Sequence, residues 1–214
     1  MVTLQQVKPL EIEAESFRII EEEFFDRTKR QVTSFNNSEF QILRRVIHAT
    51  GDFSFTDNMV FGKNGVEAGI SAVRKGRNIL TDVNMAAAGI SRSFLKPFGG
   101  KVICRVAEDE TISLARENGL TRSEAALQLA ADDNIGIVAV GNAPTALLAV
   151  MDLVDKGVMD PDLIIGVPVG FVNAAESKEL LSKKNYPFIT SLGRKGGTPV
   201  AVAMVNAILR LIET

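Results

Sequence analysis

The sequence of 214 residues contains one cysteine, one histidine, one tyrosine and no tryptophan. A lone cysteine, Cys104, excludes any disulfide within the chain and fits a reducing compartment. Its setting, Lys-Val-Ile-Cys-Arg, reads as a short strand with the thiol as a small buried apolar group. A lone histidine, His48, far along the chain from Cys104, all but excludes a zinc site of the usual nitrogen and sulfur type. No Gly-x-Gly-x-x-Gly, no Walker-type Gly-x-x-x-x-Gly-Lys-Ser/Thr and no Gly-x-Ser-x-Gly elbow occurs. No apolar run approaches the ~20 residues of a spanning helix, and residues 1–10 lack a basic-then-apolar signal pattern. Net charge is only −2, so no overall field points to nucleic acid or an anionic membrane. The expectation is a soluble, cytoplasmic protein that binds neither. The sequon Asn36-Asn37-Ser38 is read as a coincidence on that basis.

What is present describes a packed fold. Apolar residues make up 46% and charged residues 23%, values of globular proteins. No linker or internal repeat divides the chain, so 1–214 reads as one domain. Short apolar runs at 135–140, 162–167 and 187–190 alternate with helical patterns that end near residues 156, 183 and 212. That alternation predicts βαβ units in a doubly wound α/β fold with a mostly parallel sheet, flanked by helices and covered on both faces. Residues 79–81 and 102–104 are further strands, with a helix over 65–77. Two N-terminal helices are expected over 10–31 and 38–50. Ligands in such folds bind beyond the carboxyl ends of the strands. The loops there are 141–145, 166–171 and 193–198.

The second helix carries His48. Ser38 and Gln41 have capping-box spacing, and Gly51 is a natural stop. At about 100° per residue Phe40, Leu43, Val46 and Ile47 share the core arc, and His48 lies well off it with Gln41, Arg44 and Arg45 as neighbours. The bland alternative is a surface or capping histidine. Histidine is nonetheless the side chain whose ordinary pKa, about 6.5, best suits giving and taking a proton near neutrality.

The loops carry donors. Pro144 suits a first helical turn, so the amides around Gly141, Asn142 and Thr145 are candidates to face an anion or a carbonyl. Arg194 and Lys195 place two cations in a Gly-rich turn suited to carboxylates or phosphates. Arg122 opens another helix, with Thr121 as its simple N-terminal cap. Many donors and no strong nucleophile suggest a polyanionic ligand whose own structure does most of the chemistry. Met85 and Phe171 are expected to pack in the core; contact with a flat ligand is the alternative.

Five stretches together carry a family resemblance. They are Arg45-Val-Ile-His48-Ala-Thr-Gly; Asp82-Val-Asn-Met85-Ala-Ala-Ala-Gly-Ile; Gly141-Asn-Ala-Pro-Thr-Ala-Leu; Gly166-Val-Pro-Val-Gly-Phe-Val-Asn-Ala-Ala-Glu176-Ser-Lys; and Gly193-Arg-Lys-Gly-Gly-Thr-Pro-Val-Ala-Val-Ala. In order and in register, from about Ser16 to the end, they resemble the precorrin-8X methylmutase family of cobalamin biosynthesis. The resemblance implies an isomerase that moves a methyl group from C-11 to C-12 of (cobalt-)precorrin-8 by a sigmatropic shift, giving cobyrinate or hydrogenobyrinate. It implies that His48 is the proton donor and acceptor and that Arg45 and Ser16 contact substrate. It implies a homodimer with the site near the subunit interface. A conjugated macrocycle with a mobile methyl needs proton placement, orientation and shielding, so no cofactor or protein-bound metal is expected; cobalt, if present, belongs to the substrate. Arg122, Arg194 and Lys195 are candidates to meet the substrate's carboxylates. The stretches around His48 and Arg194 look more like the cobalt-handling branch than the metal-free one. The alternative from another class is a corrinoid-binding carrier without catalysis.

Overall fold

The computed structural model describes residues 7–212; residues 1–6 of the segment judged free of a signal pattern lie outside them. A 3₁₀ turn, Pro9–Glu11, leads into α1 (Ile12–Thr28), α2 (Asn37–Thr50) and α3 (Phe55–Asn58). Next come β1 (Met59–Gly62), α4 (Gly65–Arg74), β2 (Asn78–Thr81), α5 (Asn84–Gly89), α6 (Arg92–Leu95) and β3 (Val102–Ile103). The remainder is α7 (Asp109–Asn118), α8 (Arg122–Leu129), β4 (Ile135–Val140), α9 (Pro144–Asp155), β5 (Leu163–Gly166), α10 (Ala174–Ser182), β6 (Phe188–Ser191) and α11 (Thr198–Leu211).

The six strands form one sheet in the order β1-β6-β5-β4-β2-β3. All neighbours are parallel except β1, which pairs antiparallel with β6 from Met59↔Ser191 to Gly62↔Phe188. Successive residues feed opposite faces, as the two-residue period of a strand requires. Ile79, Ile137, Leu163 and Ile165 face a core shared with α1, α2, α4 and α11, while Leu80, Val138 and Ile164 face a second core under α8 and α9. This two-sided burial is why the central strands read as continuous apolar runs.

The expected α/β architecture is thus present, with local differences. The α2 cap is Asn36, whose side chain accepts from the Ser38 N–H at 2.9 Å, and not Ser38. Gly51 ends α2 with φ +65°, a left-handed conformation natural to glycine. Thr121 caps α8 in a full capping box with Glu124. The helix from Gly65 stops at Arg74 because Gly76 takes φ +69°. Cys104 lies just past β3 and is half-buried, not buried. Among the described residues no helix is long and apolar enough to cross a membrane.

Candidate active site

His48 emerges where α2 leaves the core. Phe40, Leu43, Val46 and Ile47 are buried on the inner face, as the periodicity requires, and His48, Ala49 and Thr50 are exposed. The imidazole meets the edge of Phe17 from α1, with ring centroids 5.4 Å apart and planes at 77°. Arg44 and Arg45 also approach Phe17, with guanidinium carbons 4.1 and 5.1 Å from its centroid. A single aromatic ring therefore organises the histidine and both arginines.

Arg45 is oriented by a carboxylate. Its Nη1 donates to Glu13 at 3.0 Å, and the other oxygen of Glu13 accepts from Arg210 at 3.1 Å. The Arg45 bond, aided by the surrounding positive charges of Arg45, Arg210 and His48, holds the Glu13 carboxyl below its ordinary range against the opposing effect of burial. Arg44 is paired with Glu21. Ser16, on the same turn of α1 as Phe17, is half-buried, and its hydroxyl donates to the Ile12 carbonyl at 2.7 Å.

Between α2 and α11 lies a hollow of about 260 Å³ lined by Arg45, His48, Ala49, Pro199, Val202, Ala203 and Asn206. It joins three polar side chains, Arg45, His48 and Asn206, to an apolar wall. Asn206 holds the wall in place: its Oδ1 accepts from Ser91 N–H at 2.9 Å and its Nδ2 donates to Gly89 carbonyl at 3.0 Å. A roomier hollow of about 590 Å³ lies along α6 and β3, lined by Arg92, Leu95 and Lys101 among others, but no candidate catalytic or substrate-binding residue borders it. Chemistry, not volume, selects the smaller one.

The 141–145 loop is organised differently from expectation. Its amides are not free. The buried carboxylate of Asp82, at the end of β2, accepts from the N–H groups of Gly141 at 3.1 Å, Asn142 at 2.8 Å and Ala143 at 2.8 Å. Because the chain leaves β2 toward β3 and returns to β4, these two loops flank the switch point of the sheet, and the protein's own carboxylate fills it. Burial pushes the Asp82 carboxyl upward, and the three amide bonds pull it back only in part. Gly141 is buried, and a Cβ there would stand 2.8 Å from Thr198 Cα, so glycine is needed where this loop abuts the head of α11. Pro144 opens α9 as expected, Asn142 is exposed, and the Thr145 hydroxyl lies 3.1 Å from that of Thr121, which brings exposed Arg122 beside this loop.

The 193–198 loop reaches toward His48 from the other side. Lys195 Nζ donates to Asp52 at 2.6 Å and to Ser54 Oγ at 2.8 Å, in the segment that follows α2. Gly196, at φ +157°, admits no side chain, since a Cβ would lie 2.3 Å from the Val167 carbonyl oxygen. Arg194 is exposed, and its guanidinium carbon sits 5.2 Å from the Phe171 centroid. Phe171 and Met85, expected in the core, are instead 83% and 62% exposed; Phe171 sits in the loop after β5 and Met85 in the first turn of α5, on its uncovered face. Arg45 and His48 are thus brought together and Lys195 is tied to the foot of their helix. Arg122, Asn142 and Thr145 form a separate group, beside the loop that abuts the head of α11.

The Lys195 bond comes first among the causes that hold the Asp52 carboxyl below its ordinary range. Since the folded value is the lower one, the pair contributes in full above the ordinary aspartate pKa and is lost as pH falls through the lowered value. Asp52→Asn is therefore expected to cost no more than about 1 kcal/mol near neutrality, as for other exposed pairs, and to remove that acid-side component from urea denaturation midpoints measured against pH.

Sequence reasoning missed Glu13, Asp52, Asp82 and Asn206. Asp82 had a signal in its quoted stretch, and Asn206 had one as the only polar residue between Thr198 and Arg210 in an apolar helix. Glu13 and Asp52 had none, because their partners Arg45 and Lys195 are 32 and 143 residues away in sequence.

Fold and site together define an α/β protein whose one histidine faces solvent between an arginine and an apolar wall. Residues 11–211 match the family model described as CbiC, precorrin-8X methylmutase, and the chain belongs to that family. It is accordingly an isomerase of cobalamin biosynthesis. It is 39% identical over 209 residues to the cobalt-precorrin-8 methylmutase of Priestia megaterium, covering 97% of this chain and 90% of that one. It is 43% identical over 167 residues to the precorrin-8X methylmutase of Pseudomonas aeruginosa, covering 77% and 80%. The solved precorrin-8X methylmutase structure from Thermus thermophilus superposes with a TM-score of 0.84 at 39% identity, over 95% of this chain and 96% of the other.

Proposed function

We propose that this methylmutase moves a methyl group from C-11 to C-12 of cobalt-precorrin-8 to give cobyrinate, with His48 as the proton donor and acceptor. The observation that carries this reading is the exposed His48 imidazole, fixed against Phe17 beside the Glu13-held Arg45 on the wall of one hollow. The protein's task is to lend a proton to the conjugated ring, orient the ring and recover the proton; the product is an isomer, so no electron is gained or lost. In this reading Arg45 and Ser16 contact substrate, and Lys195, Arg194, Arg122, Asn142 and Thr145 are the candidates to meet its carboxylates. The backbone amide of Gly141 is excluded from that set by Asp82. No cofactor takes part, and cobalt enters with the substrate.

The cobalt-bearing substrate is favoured over the metal-free one on the stretches around His48 and Arg194, which look more like the cobalt-handling branch. The deciding measurement is the initial rate on each substrate under identical anaerobic conditions. A higher kcat/KM on the cobalt form is expected; preference for the metal-free ring assigns hydrogenobyrinate as product instead.

The reading includes a cytoplasmic homodimer. A hollow of about 260 Å³ is smaller than the ~300–1,000 Å³ that encloses a drug-sized ligand, and a corrinoid ring is larger than most such ligands. In this reading a second surface covers it, and the exposed Val169, Phe171 and Val172 offer apolar area for contact between copies. Sedimentation is expected to give twice the chain mass; a fully active monomer at assay concentration overturns this part.

A further inference from the structure

Lys178 on α10 is 0% exposed. Its ammonium has no carboxylate partner among the described residues; it donates to the Lys195 carbonyl at 2.5 Å. Burying a charge is expensive, and a methionine would fill similar space without that cost. The carbonyl it holds is central to the 193–198 loop. Ser191 Oγ donates to the same oxygen at 3.1 Å, and two residues on Gly197 N–H donates to Val167 carbonyl at 2.8 Å. The side chain of the same Lys195 runs outward to Asp52 and Ser54, just past the helix that bears His48. Lys195 is therefore gripped at both ends, its carbonyl from the interior and its ammonium at the foot of α2.

We infer that Lys178 is a positioning residue: by fixing the Lys195 carbonyl it sets where the Lys195 ammonium meets Asp52, and so couples the 193–198 loop to the His48 helix. This inference rests on the reading of the His48 hollow as the active site. It accounts for a lysine retained where burial pulls its pKa down to about 8.

The test uses the full chain with Lys178→Met, and Lys178→Gln as the variant that keeps a donor. The first readout is the Asp52 carboxyl pKa by carbon-13 NMR, which does not depend on turnover. In Lys178→Met it is expected to rise toward the ordinary aspartate value, and Lys178→Gln is expected to restore part of the depression. The second is steady-state kinetics well below the melting midpoint, where KM is expected to rise by roughly two- to ten-fold, the lower part of the range of coupling between contacting residues, with kcat changed less. An unchanged Asp52 titration in both variants overturns the inference, whatever happens to melting temperature or rate. Should Lys178→Met fail to fold, the same readouts on Lys178→Gln decide. Full activity in His48→Ala would instead sink the active-site reading while leaving the Asp52 result intact.

Discussion

His48→Ala is expected to slow the methyl shift by about 10²- to 10⁴-fold, the usual contribution of a positioned general acid–base. The structure makes this a clean experiment. His48 is exposed, its helix is capped independently by Asn36 and Gly51, and the core face of α2 is untouched. The change in stability should stay within about 0.5 kcal/mol, as for other surface positions. Corrinoid binding, followed by absorption titration, should weaken only modestly because Arg45 and the apolar wall remain. A loss confined to turnover, together with loss of one limb of the pH–rate profile, is the signature of proton handling. A variant that converts substrate at the parent's rate removes His48 from the mechanism. Equal loss of binding and turnover would instead assign the imidazole to recognition.

Asp82→Ala is expected to be the most destabilising single change discussed here. The carboxylate is buried and satisfies three amides, that of Gly141 buried and those of Asn142 and Ala143 part-buried. A buried donor left without a partner costs about 1–3 kcal/mol, so a loss of about 3 kcal/mol is expected over the three. For a chain of this size that corresponds to a drop in melting temperature of roughly 6–12 °C. Asp82→Asn should retain only part of the stability, because its amide nitrogen presents hydrogens to N–H donors. The parent Asp82 should titrate above the ordinary aspartate range in carbon-13 NMR, since burial outweighs the amide bonds. With the folded value raised, its contribution is greatest at acid pH and diminishes as pH rises through that value. A melting temperature unchanged in Asp82→Ala would show that water replaces the carboxylate at no cost.

The parts of this molecule that were legible in the sequence are those governed by local rules. β4 falls at Ile135–Val140 as its apolar run indicates, and Gly51, Pro144 and Thr121 punctuate helices as their backbone chemistry requires. β1 was not legible. It is a four-residue, half-buried edge strand held by pairing with β6, more than a hundred residues later. The helix Asp109–Asn118 was passed over as well; its buried residues are only Thr111 and Ala115, too little apolar signal for a period to show. Within the site, helical spacing placed His48 and Arg45 together, but the groups that orient them come from elsewhere. Glu13 and Phe17 arrive from α1 and Asn206 from α11, contacts made only once the chain has folded. The exposure of Phe171 and Met85 ran against the usual fate of apolar side chains for the same reason: burial depends on what lies above a loop or a helix face, and periodicity does not record that.

The carboxylate at the switch point also bears on what the protein ignores. In many doubly wound folds this crevice is where nucleotides seat their phosphates, against amides at a helix start. Here those amides are already engaged, and the occupant is itself an acid. A phosphate arriving there would displace nothing that could leave, and beside ionised Asp82 it would meet repulsion of about 4 kcal/mol at 4 Å for an effective dielectric of 20. Against the phosphates of ATP or of a dinucleotide, this arrangement keeps the seat at the switch point shut.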